Sequence, residues 1–171
     1  MKVLFPAVLL GLLAAVPSPP AAAGSATLVD VVRQSTVRFL SISNAINAGY
    51  GRLLGCTSGP DQGSMGVHYA NPTLVGDGVL DARYPEVLMY EPLADGHKRL
   101  LGVEFVVIAE TWDNSHSAPP VLRGQLFHYE ASPNRYGLPP FYALHVWAWK
   151  PNPKGMFADW NPDVTCVNYA G

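Results

Sequence analysis

The sequence predicts an α+β fold, with one N-terminal amphipathic helix packed on a curved antiparallel β-sheet and a single disulfide. Three observations carry this expectation. Helical periodicity is sustained only once, every later apolar run is short and bounded by Gly, Pro, Asn or Asp, and the chain holds two cysteines. A β-sandwich with a helical appendage is the alternative arrangement of the same elements.

The chain begins with a short basic start, Met1-Lys2, followed by an apolar run from Val3 to Val16 interrupted only by Pro6 and Gly11. That run is too short to span a bilayer as a helix. Pro17-Ser18-Pro19-Pro20 and then Ala21-Ala22-Ala23 follow, and small residues of this kind precede a signal-peptidase cut. Residues 1–23 are therefore expected to be a cleaved signal peptide, and residues 24–171 a single globular domain of about 150 residues, enough to bury a real core. No cysteine lies near the junction, which argues against a lipid anchor.

The helix is expected from about Leu28 to Ala48. Leu28, Val32, Ser35, Phe39, Ile42 and Ile46 recur at alternating steps of four and three, one stripe on a helix. Thr27 with Asp30 approximates a capping box and Gly49 is a stop signal. Arg33, Gln34, Arg38 and Asn44 fall on the opposite side. Strands are expected over Met65–Tyr69, Glu86–Glu91, Arg99–Ile108, Leu122–Glu130 and Tyr142–Lys150, the second and third forming a hairpin around Asp95-Gly96. With a two-residue turn, Val87 would pair with Glu104 and Glu91 with Leu100. Glu91 and Glu104 would then share a face about 13 Å apart, too far to hold one metal or to act as a retaining glycosidase pair. A bulge or a longer loop would change this register.

Composition narrows the function classes. Hydrophobic residues make up 49% of the chain and charged residues 14%, with a formal charge of −2, so the clustered Lys and Arg that a nucleic-acid binder needs are lacking. The 16 Pro and 16 Gly exclude a mostly helical fold. No segment after the leader is apolar enough for an integral membrane span. Export places Cys56 and Cys166 where thiols are oxidised, and neither sits in a CxxC spacing, so a Cys56–Cys166 disulfide is the expectation. No Gly-x-Ser-x-Gly elbow is present.

The chemistry is sought among polar residues inside the apolar strands. Glu104 interrupts Leu100–Ile108 and His145 interrupts Tyr142–Trp149, while His68 follows Gly66-Val67 and His128 lies between Phe127 and Tyr129. A buried charge needs a partner or a cation, and imidazole with carboxylate is an ordinary ligand set for zinc, copper, iron or manganese. His68, Glu104, His128 and His145 are therefore the candidate metal ligands. No His-x-His or His-Glu-x-x-His spacing supports them locally. A salt bridge from Glu104 to Arg99 or Arg123 is the structural alternative, as are hydrogen-bonded structural histidines. His97 and His116 lie in polar loops and are expected to be solvated.

The segments Gly63–Tyr69, Tyr90-Glu91-Pro92, Val103-Glu104, Leu144–Trp147, Asn152–Ala158 and Asn161–Cys166 resemble those of a family of secreted bacterial hypothetical proteins of unassigned activity. The likeness covers most of the mature chain and includes His68, Glu91, Glu104 and His145. It implies a bacterial periplasmic or extracellular setting and leaves the metal reading open. Two functions stand at this point. One is an exported protein binding a divalent transition metal; the other is a non-catalytic binding or structural module, with Trp147, Trp149 and Trp160 lining an aromatic groove for a small ligand or partner.

Overall fold

The computed structural model describes residues 26–171, so the expected signal peptide at 1–23 lies outside the described residues. Thr27 caps helix α1 (Leu28–Thr36): its hydroxyl accepts the Asp30 N–H while the Asp30 carboxylate accepts the Thr27 N–H, the expected capping box. The helix is not continuous to Ala48. It breaks into α1, a 3₁₀ turn over Val37–Leu40, and α2 (Ile42–Asn47) beyond an extended Ser41.

Buried Thr36 marks the break. Its hydroxyl donates to the Val32 carbonyl at 2.6 Å, a local bond that competes with helical pairing, and it accepts Trp149 Nε1–H at 3.0 Å. The break resets the helical phase. Leu28, Val32 and Phe39 are buried as the stripe predicts, but Ala45 takes the next inward position and Ile46 is left exposed. Arg33, Gln34, Arg38 and Asn44 face outward as expected.

A strongly curled antiparallel sheet supports these helices. Its strands are β1 (Gly51–Gly59), β2 (Gly63–Ala70), β3 (Val87–Pro92), β4 (Lys98–Ile108), β7 (His128–Glu130) and β8 (Phe141–Val146), in the order β1-β2-β3-β4-β8-β7. The expected strand at Leu122–Glu130 is split, because Arg123 and Gly124 adopt positive φ and turn β5 (Val121–Leu122) back on β6 (Gln125–Leu126) before β7 begins. Short helices α3 (Pro72–Asp77) and α4 (Ala109–Asp113), which show no sustained periodicity, follow β2 and β4. One sheet face, with Leu88, Tyr90, Val103, Phe105, Leu144 and Val146, packs under the N-terminal helices. Tyr90 O–H donates to the Phe39 carbonyl at 2.7 Å and ties the two layers together.

The β3–β4 hairpin departs from a two-residue turn. Val87 pairs with Glu104 as expected, but a bulge at Leu101 shifts the register, so that Glu91 pairs with Arg99. The loop is longer too, closing from Leu93 N–H to the His97 carbonyl at 2.9 Å. Glu91 is consequently occupied: Arg99 forms an ion pair with it, Lys150 lies 3.6 Å away, and the Thr165 N–H donates to it at 3.4 Å. Beyond β8 the chain leaves the sheet. Trp149 and Lys150 N–H both donate to the carbonyl of bulged Leu101, and Gly102 leaves room for the turn, since a Cβ there would meet Val146 O at 2.1 Å.

This turn overturns the aromatic groove. Trp147 and Trp149 sit on opposite sides of the sheet instead of sharing a face, because strand alternation ends at Val146. Trp147 is fully buried with Met89, Leu101 and Val164 and donates Nε1–H to Ala158 O, whereas Trp149 packs towards α1. Trp160 lies against Gly59 and near Arg135.

The remaining chain, from Trp147 to Gly171, runs back over the sheet without regular structure. It is held by a bridge between Asn161 and Ser64, where a Cβ on Gly63 would strike Asn161 O at 2.1 Å. Buried Asn161 donates to Pro151 O, and Asn152 donates to Trp160 O. The expected Cys56–Cys166 disulfide pins the segment's end to β1, one element beyond the helix end. It spans a separation of 110 residues. A loop of that length gives about 4–5 kcal/mol in the chain-entropy treatment, an upper figure. Reduction should therefore lower the melting temperature by several degrees, and native protein should show no titratable thiol; two thiols labelled without denaturant would contradict this.

At the head of β3, Glu86 is 1% exposed. The Pro85 carbonyl accepts the Tyr50 hydroxyl at 2.7 Å, and the Glu86 side chain accepts the Val106 N–H at 3.1 Å. Its other oxygen has no partner. Burial pushes this carboxyl up to about 8. The folded protein thus keeps a proton that the unfolded chain releases near the ordinary carboxylate value. This stabilisation is complete below pH 4.5 and is lost as pH rises towards 8, at no more than about 1.4 kcal/mol per pH unit. Glu86→Gln should flatten that decline and leave the variant relatively more stable at pH 8 than at pH 4.5, read from denaturant unfolding across the range.

Candidate metal centre

Three side chains on the sheet face away from the helices converge: His68 from β2, Glu104 from β4 and His145 from β8. Glu104 and His145 are directly opposite each other in the β4–β8 ladder. His68 stands two strands from Glu104, with β3 between them. It crosses that gap because the sheet curls and because the β3 residues on this face next to it, Val87 and Met89, are apolar. His68 Nε2 lies 3.6 Å from one Glu104 oxygen and His145 Nε2 lies 3.8 Å from the other. One donor atom from each residue falls within 4.8 Å of both others. Both histidines are 4% exposed, and the Glu104 side chain is 12% exposed.

No arginine or lysine neutralises Glu104. Arg99 is taken by Glu91, and Arg123 donates to the Ala26 carbonyl. The salt-bridge alternative is thereby removed among the described residues. Neither ring nitrogen of His145 has a hydrogen-bond partner, which is unusual for a buried imidazole.

Asp159, absent from the sequence-derived candidates, stands behind this group on the C-terminal segment. Its Oδ1 is 3.3 Å from His145 Nδ1, too poorly aimed for a hydrogen bond but close enough for charge attraction, and 3.5 Å from His128 Nδ1. His128 is largely exposed on β7 and touches the group only through Asp159, so the structure places three of the four proposed ligands together and leaves the fourth outside. His97 and His116 are exposed, as expected, and His116 stacks on Trp112.

Burial sets the protonation states and charge modifies them. The His68 ring is pushed down to about 3 by burial and by repulsion from His145, so it is a neutral imidazole with a free lone pair. Burial also disfavours the charged form of His145, but Glu104 and Asp159 together outweigh it and hold this ring above its ordinary range. Burial raises Glu104, opposed by His145 and reinforced by Asp159 and Glu130. Asp159 is held below its ordinary range, first by His145.

The group borders an apolar cavity of about 140 Å³ that sequence reasoning did not find. Leu53, Val75, Val87, Val106, Leu138 and Phe141 are among its walls, while His68 and Glu104 form its polar edge. These residues come from β1, β2, α3, β3, β4, β8 and the loop before β8, so no local pattern marks them. Asp159 likewise sits in an irregular segment with no periodicity to reveal its direction.

Fold and site together define an α+β protein with a disulfide, a curled sheet and a buried His–Glu–His group able to hold a metal ion, and the disulfide is compatible with export. No helix among the described residues is long and apolar enough to cross a membrane. Comparison with known proteins finds no matching family model, no matching curated protein and no matching solved structure.

The electrostatic balance at His145 is open to test in metal-free protein. Glu104→Gln removes the main group opposing burial, so the His145 pKa should fall relative to wild type. NMR titration of the ring C–H resonances reads this directly; an unchanged value would mean that Glu104 does not set the charge on His145.

Proposed function

We propose that this is an exported protein that holds a divalent transition metal through His68, Glu104 and His145. One observation supports the reading above others: three ligand-type side chains from three strands bring donor atoms within 4.8 Å of one another in a buried site, with no lysine or arginine paired to the carboxylate. Donor atoms bound to one tetrahedral ion at about 2.1 Å lie about 3.4 Å apart. The 3.6 and 3.8 Å separations run to the two different Glu104 oxygens, and the set of one atom per residue extends to 4.8 Å, so the side chains would draw together around an ion. A purely structural ion pair, with His145 charged between Glu104 and Asp159, accounts for those three groups but gives no role to the neutral His68 ring beside the same carboxylate.

Two imidazoles and one carboxylate suit zinc or iron(II), and copper and manganese are compatible. Such a set leaves coordination positions open, and two of its three residues, His68 and Glu104, line the apolar cavity. Bound metal would supply Lewis acidity or a polarised water at that edge. Asp159 would steady the His145 ring from its Nδ1 side, the usual place for a carboxylate behind a ligating histidine. The disulfide fits an oxidising compartment, periplasmic or extracellular.

Elemental analysis of protein purified without a metal-chelating tag, followed by competitive titration with zinc, tests the reading. Replacing His68, Glu104 or His145 by alanine should abolish tight retention. Asp159→Ala should weaken it by about 10- to 100-fold, and His128→Ala should leave it unchanged. Folded wild-type protein with no metal and no affinity for zinc, copper, iron or manganese would remove the proposal.

A further inference from the structure

The cavity beside His68 and Glu104 carries a statement about ligand chemistry that goes beyond the metal reading and stands whether or not an ion is bound. We propose that it binds a compact, uncharged, six-membered aromatic ring carrying one hydroxyl, a phenol-type ligand, with the ring in the apolar chamber and the hydroxyl at Glu104 and His68.

Size comes first. The cavity is about 140 Å³, close to the roughly 150 Å³ apolar cavity known to take up benzene. Apart from His68 and Glu104, every lining side chain is apolar or aromatic, so a ligand can satisfy a polar group at one edge only. Tyr136 offers no free donor there, because its O–H is already directed at Met65 Sδ at 3.6 Å. Tyr136 and Phe141 instead present a wall of two rings, 5.9 Å apart and inclined at 69°, which favours an aromatic guest by edge-to-face contact.

Charge decides the head group. No lysine or arginine lines the cavity, so a carboxylate ligand in metal-free protein would be desolvated beside Glu104 with no counter-charge. A hydroxyl carries no such cost. It can donate to a Glu104 oxygen and accept from a ring N–H, matching the two groups at the edge whichever of them holds a proton.

The test uses metal-free full-length mature protein and three probes, phenol, benzene and benzoate, followed through methyl NMR resonances. Phenol should give saturable shifts confined to residues such as Leu53, Val75, Val106 and Leu138. Benzene should bind about fivefold more weakly for want of the hydroxyl, and benzoate should not bind. Ala70→Leu on β2 and Val75→Phe on α3 each fill the chamber and should weaken phenol by about tenfold or more. The two sites are on different elements, so either variant decides the matter if the other fails to fold.

No saturable shift in folded protein, equal affinity for phenol and benzene, binding of benzoate, or undiminished phenol binding in a folded filled variant would each overturn the proposal. Zinc titration of the same sample scores the metal separately. Phenol binding without zinc affinity removes the metal reading alone, and zinc binding without phenol removes this one.

Discussion

The pairing of Glu104 with His145 across β4 and β8 places a carboxylate in a strand that is otherwise apolar and buried, and the neighbouring groups are arranged around the cost of that placement. β4 cannot shift to relieve it. A slip of one residue would turn Val103, Phe105 and Val107 away from the helix-side core and bring Glu104 into it. The carboxylate is therefore fixed, and only its partners can answer it. His145 does so directly, His68 from two strands away, and Asp159 stabilises the charge on His145 from behind.

Three buried carboxylates show how environment assigns separate roles to one functional group. Glu91 is satisfied by Arg99, Lys150 and a backbone N–H, and behaves as a fastener between the hairpin and the C-terminal segment. Glu86 has one backbone donor and an orphan oxygen, and burial keeps it protonated near neutrality. Glu104 faces two imidazoles and a cavity with no lysine or arginine in reach. Only the last arrangement sets a carboxylate beside other ligand-type side chains.

The irregular C-terminal segment is part of the site's construction. Trp147 and Val164 seal one apolar cluster, Asn161 and Asn152 fasten the backbone, and the disulfide closes the far end on β1. Held in this way, the segment delivers Asp159 to His145 although it has no strand or helix to aim it. A loop fixed by buried asparagines and a covalent bond can position a side chain as firmly as a sheet does, because its backbone polar groups are accounted for.

The residue pattern by itself determined the α+β class, the capped start of α1, the strands β2, β3, β4 and β8, the pairing of Val87 with Glu104 and the disulfide. Each of these rests on local periodicity, turn chemistry or the elimination of other fates for two thiols. It also singled out His68, Glu104 and His145, because a polar residue inside an apolar strand is conspicuous without any knowledge of the fold. Whether those residues meet was decided only in three dimensions. The curl of the sheet carries His68 over β3, the bulge at Leu101 gives Glu91 to Arg99, and the turn after Val146 separates Trp147 from Trp149. His128 follows the same alternation but lies on the short outer strand, where its ring meets solvent and Asp159. Asp159, Glu86 and the cavity stayed hidden because their positions depend on contacts between segments far apart in the chain. Periodicity reports only which side of its own strand a residue takes; where neighbouring strands then bring that side is settled by register, curvature and the packing of the closing segment.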